Sequence, residues 1–401
     1  MPAGRSGPSS PPTRDAEPPG GRNPSGPTTT RVRSDRTPGG RGDPGGRVDD
    51  ATETTTGTAL VWTGGSDFEL RSFEQPRPDA GELLVEVHLA TVCGSDLHTV
   101  SGRRPGPCPG ILGHEAVGVV VASGADGRST VDGRPVEVGD RIVWGVTATC
   151  GACDRCRSGR TAKCRNLRKV GHEPFEGPWP LSGDMSTHVI LPPGVAVVGV
   201  PDGVADAAAA PAGCALATAV AAVEALGDVR GARAVVWGLG LVGLSACVAL
   251  LAAGAATVTG VDPDPGRHGV AVAFGADAAA LPDDTTAAGP VDVAVEASGD
   301  PAAVAAAIER LDVGGRIVLV GSVAPLGTVT LDPESVVRRL LTITGVHNYE
   351  PRHLLRAVEL LTTHGDRLAE LVAPPVGLGE LPQLLTTPPA GHLRRSVDPR
   401  R

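Results

Sequence analysis

The sequence predicts a two-domain α/β protein preceded by a disordered tail, and three observations carry that reading. Short apolar runs punctuated by Gly and Pro begin at Thr58, as expected of a β-rich unit. Beyond about Ala205 the texture changes to Ala-rich helical stretches alternating with short apolar strands, the pattern of a doubly wound parallel sheet covered by helices on both faces. Residues 1–57 hold almost no large apolar side chain, so they cannot bury enough surface to offset their chain entropy.

In that tail eight arginines face seven acidic residues and no amphipathic period is present, which argues against a targeting role. Its composition equally suits a natural translation start further along, near Val48. In the β-rich unit, residues 59–62, 83–89 and 116–122 read as strands. In the second unit the strands are 234–237, 257–261, 291–296 and 316–320. The last segment, from His347, has one clear helix over 353–363 and then short pieces broken by proline between Pro374 and Pro389.

Composition narrows the function. The 401 residues carry a formal charge of -9, which argues against a nucleic-acid or anionic-membrane binder. No apolar run reaches membrane-spanning length. Lysine occurs twice against 34 arginines, a bias of composition. Four of the eight cysteines fall between Cys150 and Cys164, which favours metal binding in a reducing compartment, hence a cytoplasmic location.

Three constellations carry chemistry. The first is Cys150, Cys153, Cys156 and Cys164 in a polar loop. Four thiolates at this spacing can wrap one tetrahedral zinc and leave no open position, a structural site, although four cysteines also suit an iron–sulfur cluster. The second is Cys93-Gly-Ser95-Asp96-Leu-His98 followed by Gly113-His114-Glu115. Cys93 and His114 suit zinc, and an open catalytic site needs a third ligand, for which Cys214 is the candidate; alone among alanines it reads equally as a core residue. Asp96 is placed to orient His114 by accepting its other ring proton.

The third is Gly238-x-Gly240-x-x-Gly243, which follows an apolar strand and opens an Ala-rich helix, with Asp262 ending the next strand 19 residues beyond Gly243. That arrangement fits a dinucleotide: glycines admit the pyrophosphate to a helix N-terminus and the acid takes the adenosine ribose hydroxyls. Asp262 repels a ribose phosphate, which favours NAD over NADP.

With these elements in this order, the chain resembles the zinc-dependent medium-chain alcohol dehydrogenases over roughly residues 58–399. The resemblance implies a GroES-like catalytic domain with a structural zinc lobe over 58–214, a Rossmann NAD-binding domain over 215–346, and a return to the catalytic domain over 347–401. It implies two zinc ions per chain, one held by Cys93, His114 and Cys214 and one by the four-cysteine lobe, with Glu115 near the catalytic metal. It also implies hydride transfer between an alcohol, held as alkoxide by zinc, and NAD, with protons leaving through Ser95, the cofactor ribose and His98. Arg267 resembles a residue lying along the ribose, or is an exposed helix arginine, and Arg394 resembles one reaching pyrophosphate. Residues 295–299 and 320–322 resemble turns under the cofactor, and His347 and Asn348 fall near the nicotinamide end.

For the substrate, a small alcohol or aldehyde, Arg103 and Arg104 suit an anionic group or are solvated surface residues. The segments 91–115 and 345–349 also resemble a subgroup proposed to act in phosphonate metabolism. The family resemblance further implies a homo-oligomer, dimer or tetramer, without nucleic-acid or membrane partners. Rival readings are a polyol or amino-alcohol dehydrogenase of the same superfamily, a zinc-free enoyl or quinone reductase, and a catalytically silent assembly protein. Ser182-Gly-Asp184-Met185 departs from the family pattern and leaves the pocket lining there open.

Overall fold

The computed structural model describes residues 55–284, 289–323, 327–387 and 391–401. The tail expected over 1–57 lies outside the described residues up to position 54. Its last two residues belong to the fold: strand Thr56–Gly64 begins there, pairing Thr56 with Glu74 and Gly57 with Phe73. The boundary shifts because cross-strand pairing, which apolar content does not report, fixes these two residues.

The β-rich half is antiparallel. Strand Leu83–Thr91 pairs with Ala116–Ser123 and with His188–Leu191, and Arg141–Ala148 pairs with Val195–Gly199 and Arg168–Lys169. Its core is apolar and mostly aliphatic, built on residues such as Leu83, Val85, Ile111, Ile142 and Trp144. The chain returns at its end to this sheet, where Ser396–Val397 pairs with Thr91 and Ala90.

The second half is a six-stranded parallel sheet in the order Ala278–Ala280, Thr257–Val261, Arg233–Trp237, Val291–Glu296, Leu311–Leu319, Thr342–Gly345. The strand order reverses beside Arg233–Trp237, so a crevice opens at the carboxyl ends of the central strands. Helices Ala215–Ala225 and Leu241–Ala252 pack on each other through small residues, with Ala217, Ala219 and Ala246 fully buried. Alanine there lets backbones approach closely while burying little side-chain volume, which explains how a chain with 2% aromatic residues still closes its core.

Helix Pro351–Ala369 extends the helix expected over 353–363 at both ends, and the proline-broken segment forms a short helix, Leu381–Thr386. Among the described residues no single helix is long and apolar enough to cross a membrane.

Candidate active site

Strand Leu83–Thr91 delivers Cys93 to the start of a seven-residue helix, Gly94–Val100. Asp96 accepts from the Cys93 backbone N–H at 2.9 Å, which fixes the cysteine at the helix N-terminus. Gly113, at φ +94°, turns the chain so that His114 and Glu115 precede strand Ala116–Ser123. Cys214 stands before helix Ala215–Ala225. These segments converge: one donor atom each from Cys93, His114, Glu115 and Cys214 lie within 4.8 Å of one another.

The surroundings of this cluster are buried. Asp96 Oδ1 lies 3.5 Å from His114 Nδ1, with both side chains 3% exposed, and Ser95 Oγ lies 3.2 Å from His114 Nε2. Asp96 therefore braces a backbone and an imidazole at once. Glu115 is fully buried and paired with Arg394, Nε to Oε2 at 3.1 Å, while Thr91 donates its hydroxyl to Glu115 at 2.7 Å. Burial raises the Glu115 carboxyl to about 7 despite the neighbouring guanidinium. Hydrogen bonding from Cys214 holds the Cys93 thiol well below its usual range, and the same contact pushes Cys214 up. Two sulfurs and an imidazole nitrogen around one small space are a donor set that can hold a zinc ion, with the Glu115 carboxylate also within reach.

The second cluster is compact. Sulfur separations are 3.5 Å for Cys153–Cys156, 3.9 Å for Cys153–Cys164 and 3.4 Å for Cys150–Cys164. Zinc–sulfur bonds of about 2.3 Å in a tetrahedron place sulfurs about 3.8 Å apart, so the loop fits one ion and is too tight for a multi-iron cluster. Backbone N–H groups of Cys150 and Asn166 each donate to Cys164 Sγ at 3.3 Å. Glu350 ties the lobe to the body by accepting from the backbone N–H of Thr161 at 2.9 Å and of Ala162 at 3.1 Å.

The three glycines of the turn do different work. Gly238 has φ +87°, and a Cβ there would meet Ser298 N at 2.7 Å. A Cβ on Gly243 would strike Gly238 O at 1.8 Å, so this position closes helix Leu241–Ala252 onto the strand. At Gly240 nothing lies within 4 Å, which is the open space a pyrophosphate needs at a helix N-terminus. Asp262 accepts from Leu239 N at 2.7 Å and Asp264 N at 2.9 Å, and Arg267 lies 3.3 Å from it. Buried Glu296 organises a second turn, accepting from Ser298 N at 2.7 Å and Gly299 N at 2.8 Å.

One cavity of about 310 Å³ joins these parts. Cys93, His114 and Cys214 face it together with Ser95, His98 and Arg394, and so do Gly240, Ser298 and Gly321 from the parallel-sheet half. Arg394 thus reaches the cavity while engaged with Glu115. Of the two arginines after His98, Arg104 lines the cavity and exposed Arg103 does not. Residues 182–185 do not line it either: Asp184 is fully buried behind, accepting from the Trp144 indole at 3.2 Å. Sequence reasoning missed Lys169, His172 and Thr218, which line the cavity from positions that no local motif marks.

Residues 79–202 match the alcohol dehydrogenase GroES-like domain and residues 242–363 the zinc-binding dehydrogenase domain. The 5-exo-hydroxycamphor dehydrogenase of Pseudomonas putida is 30% identical over 336 residues, 80% of this chain and 92% of that protein. The chain belongs to the zinc-type medium-chain alcohol dehydrogenases. Within this dehydrogenase family, the L-threonine 3-dehydrogenase of Deinococcus radiodurans is 30% identical over 328 residues, 77% of this chain and 88% of its own. Among solved structures, an alcohol dehydrogenase from Thermotoga maritima superposes with a TM-score of 0.79 at 28% identity, covering 86% of this chain and 99% of that one. A zinc-binding dehydrogenase from Sinorhizobium meliloti, bound to NADP, gives 0.76 at 26% identity, covering 86% of this chain and 100% of its own.

Proposed function

We propose that this dehydrogenase transfers hydride between a small alcohol and NAD, with zinc held by Cys93, His114 and Cys214 and a second zinc held by the four-cysteine lobe. The convergence of two sulfurs and one imidazole on a cavity that also touches the glycine turn carries this reading. Zinc, when bound, supplies the Lewis acidity that brings a hydroxyl proton within reach near neutral pH. A nicotinamide cofactor, when bound, would supply the acceptor for the substrate's hydride, and the substrate hydroxyl would give up a proton.

The chain's own groups handle that proton. Ser95 stands at the donor cluster as the first acceptor, and His98, three residues on and half-buried, passes the proton toward solvent. Burial and Arg103 hold His98 below its usual range, so it is neutral and able to accept. Asp96 positions His114. Asp262, 3% exposed at the end of the second strand, supports NAD over NADP by charge.

Eight cysteines without a disulfide among the described residues support a reducing, cytoplasmic setting. Strand Thr342–Gly345 at the sheet edge, with Val313, Val337 and Leu340 more than 60% exposed nearby, supports a homo-oligomer.

The test is a cofactor-coupled absorbance screen of alcohols and aldehydes with NAD and NADP, joined to metal analysis. The reading expects about two zinc per chain. A zinc-free protein that still reduces enones would instead identify a reductase.

A further inference from the structure

The sequence holds 36 basic residues, and only Lys163 and Lys169 among them are lysine. One stands at the catalytic cavity and the other beside it. Lys169 lines it, and Lys163 Nζ lies 2.7 Å from Nδ1 of His347, which also lines it. Arg104 joins them from the loop that follows helix Gly94–Val100. The three cations come from separate segments of the β-rich half, yet each is close enough to disturb the same neighbour: burial first, then Lys169, Lys163 and Arg104, hold His347 down to about 4.

This grouping is uncompensated. Among the described residues, no ion pair or side-chain hydrogen bond engages the guanidinium of Arg104 or the ammonium of Lys169, and no Asp or Glu lines the cavity. Burial and the like charges of Arg104 and Lys163 push the Lys169 ammonium down to about 8. Gathering cations in a half-enclosed space costs free energy that an anionic ligand returns. A protein of net charge -9 also repels anions in general, so a local positive mouth is what would admit one. A further cation at the cavity, Arg394, is already engaged by Glu115.

We propose that the substrate carries an anion, a carboxylate or a phosphonate-type group, and that Lys169 and Arg104 bind it, with Lys163 drawing it in at the rim. The proposal rests on the dehydrogenase reading and adds the substrate class. The anion is not the cofactor's pyrophosphate, whose open position at Gly240 belongs to the parallel-sheet half. Ammonium and guanidinium divide the work: Arg104 offers a planar fork, and Lys169 a compact charge with three rotatable donors. An amino alcohol finds no carboxylate here for its ammonium.

Zinc-loaded full-length enzyme is assayed on matched pairs: hydroxycarboxylates against their methyl esters, and hydroxyalkylphosphonates against their neutral diesters. The expected result is kcat/KM higher for one anion class by about ten- to a hundredfold, the two pairs showing whether the group is planar or tetrahedral. Lys169→Met reduces that preference by about tenfold, mainly through KM, and Lys169→Arg restores part of it. Calorimetry with methylphosphonate and with propionate on the NAD-loaded enzyme gives a readout independent of turnover, and binding weakens in the Lys169→Met variant.

Turnover of neutral alcohols at equal or better efficiency overturns the anion proposal alone. Unchanged preference in Lys169→Met, with a raised KM for NAD, overturns it too and assigns the cations to the cofactor. Failure to oxidise or reduce any member of the panel, with neither anion bound, overturns both readings.

Discussion

Glu115 and Arg394 are 279 residues apart in sequence and 3.1 Å apart in the fold, a fully buried carboxylate and a partly buried guanidinium beside the donor cluster. The C-terminal strand Ser396–Val397, laid against Thr91 and Ala90, brings them together. Cutting this pair leaves a buried carboxyl unpaired. Arg394→Ala is expected to lower stability by about 3 kcal/mol, measured by denaturant unfolding. A change below about 0.5 kcal/mol would show that the pair contributes nothing net.

Cys93→Ser separates metal chemistry from cofactor binding. The variant should lose turnover and about one zinc of two while NAD still binds, as read by metal analysis and by fluorescence titration with NADH. Full activity in this variant would overturn the ligand assignment.

The four-cysteine lobe is closed to substrate, so its loss should act on local order. Cys156→Ser is expected to lose the other zinc and to admit limited proteolysis within residues 150–164. An uncut loop with zinc content unchanged would show that the sulfurs hold no metal.

The glycine turn offers a paired test. Gly243→Ala sets a Cβ 1.8 Å from the Gly238 carbonyl oxygen, an overlap with backbone that should destabilise by about 2 kcal/mol. Gly240→Ala meets open space at φ -71°, so stability should change by less than about 1 kcal/mol. Its methyl group enters the pyrophosphate position, so KM for NAD should rise by about tenfold. Equal NAD affinity in wild type and Gly240→Ala would place the dinucleotide elsewhere.

Asp184 predicts a pH effect. Its carboxyl is fully buried, takes one hydrogen bond from Trp144, and is held well above the usual range by burial. Above the ordinary carboxylate range the unfolded chain has lost this proton while the folded chain keeps it. Stability therefore falls as pH rises, until the folded group ionises too. Asp184→Asn should flatten that decline in thermal unfolding between pH 5 and 8, and an unchanged slope would assign it to other groups.

The sequence by itself determined what is local. Four cysteines within fifteen residues can enclose a metal centre wherever the loop sits, and a strand, a glycine turn and a helix make a dinucleotide fingerprint without reference to the rest of the chain. The alternation of apolar strands and alanine helices likewise made the parallel sheet legible, because period and segment length are properties of contiguous residues.

Tertiary structure decided what depends on distant segments meeting. Cys214 among alanines became a donor only when its helix was set beside the loops of Cys93 and His114, and Arg394 found Glu115 only through the returning strand. Lys163 and Lys169 looked like residue bias in the sequence. Folding set Lys169 beside Arg104 at one cavity and Lys163 against His347 on its wall, because long-range sheet pairing, unlike spacing, chooses which charges share a space.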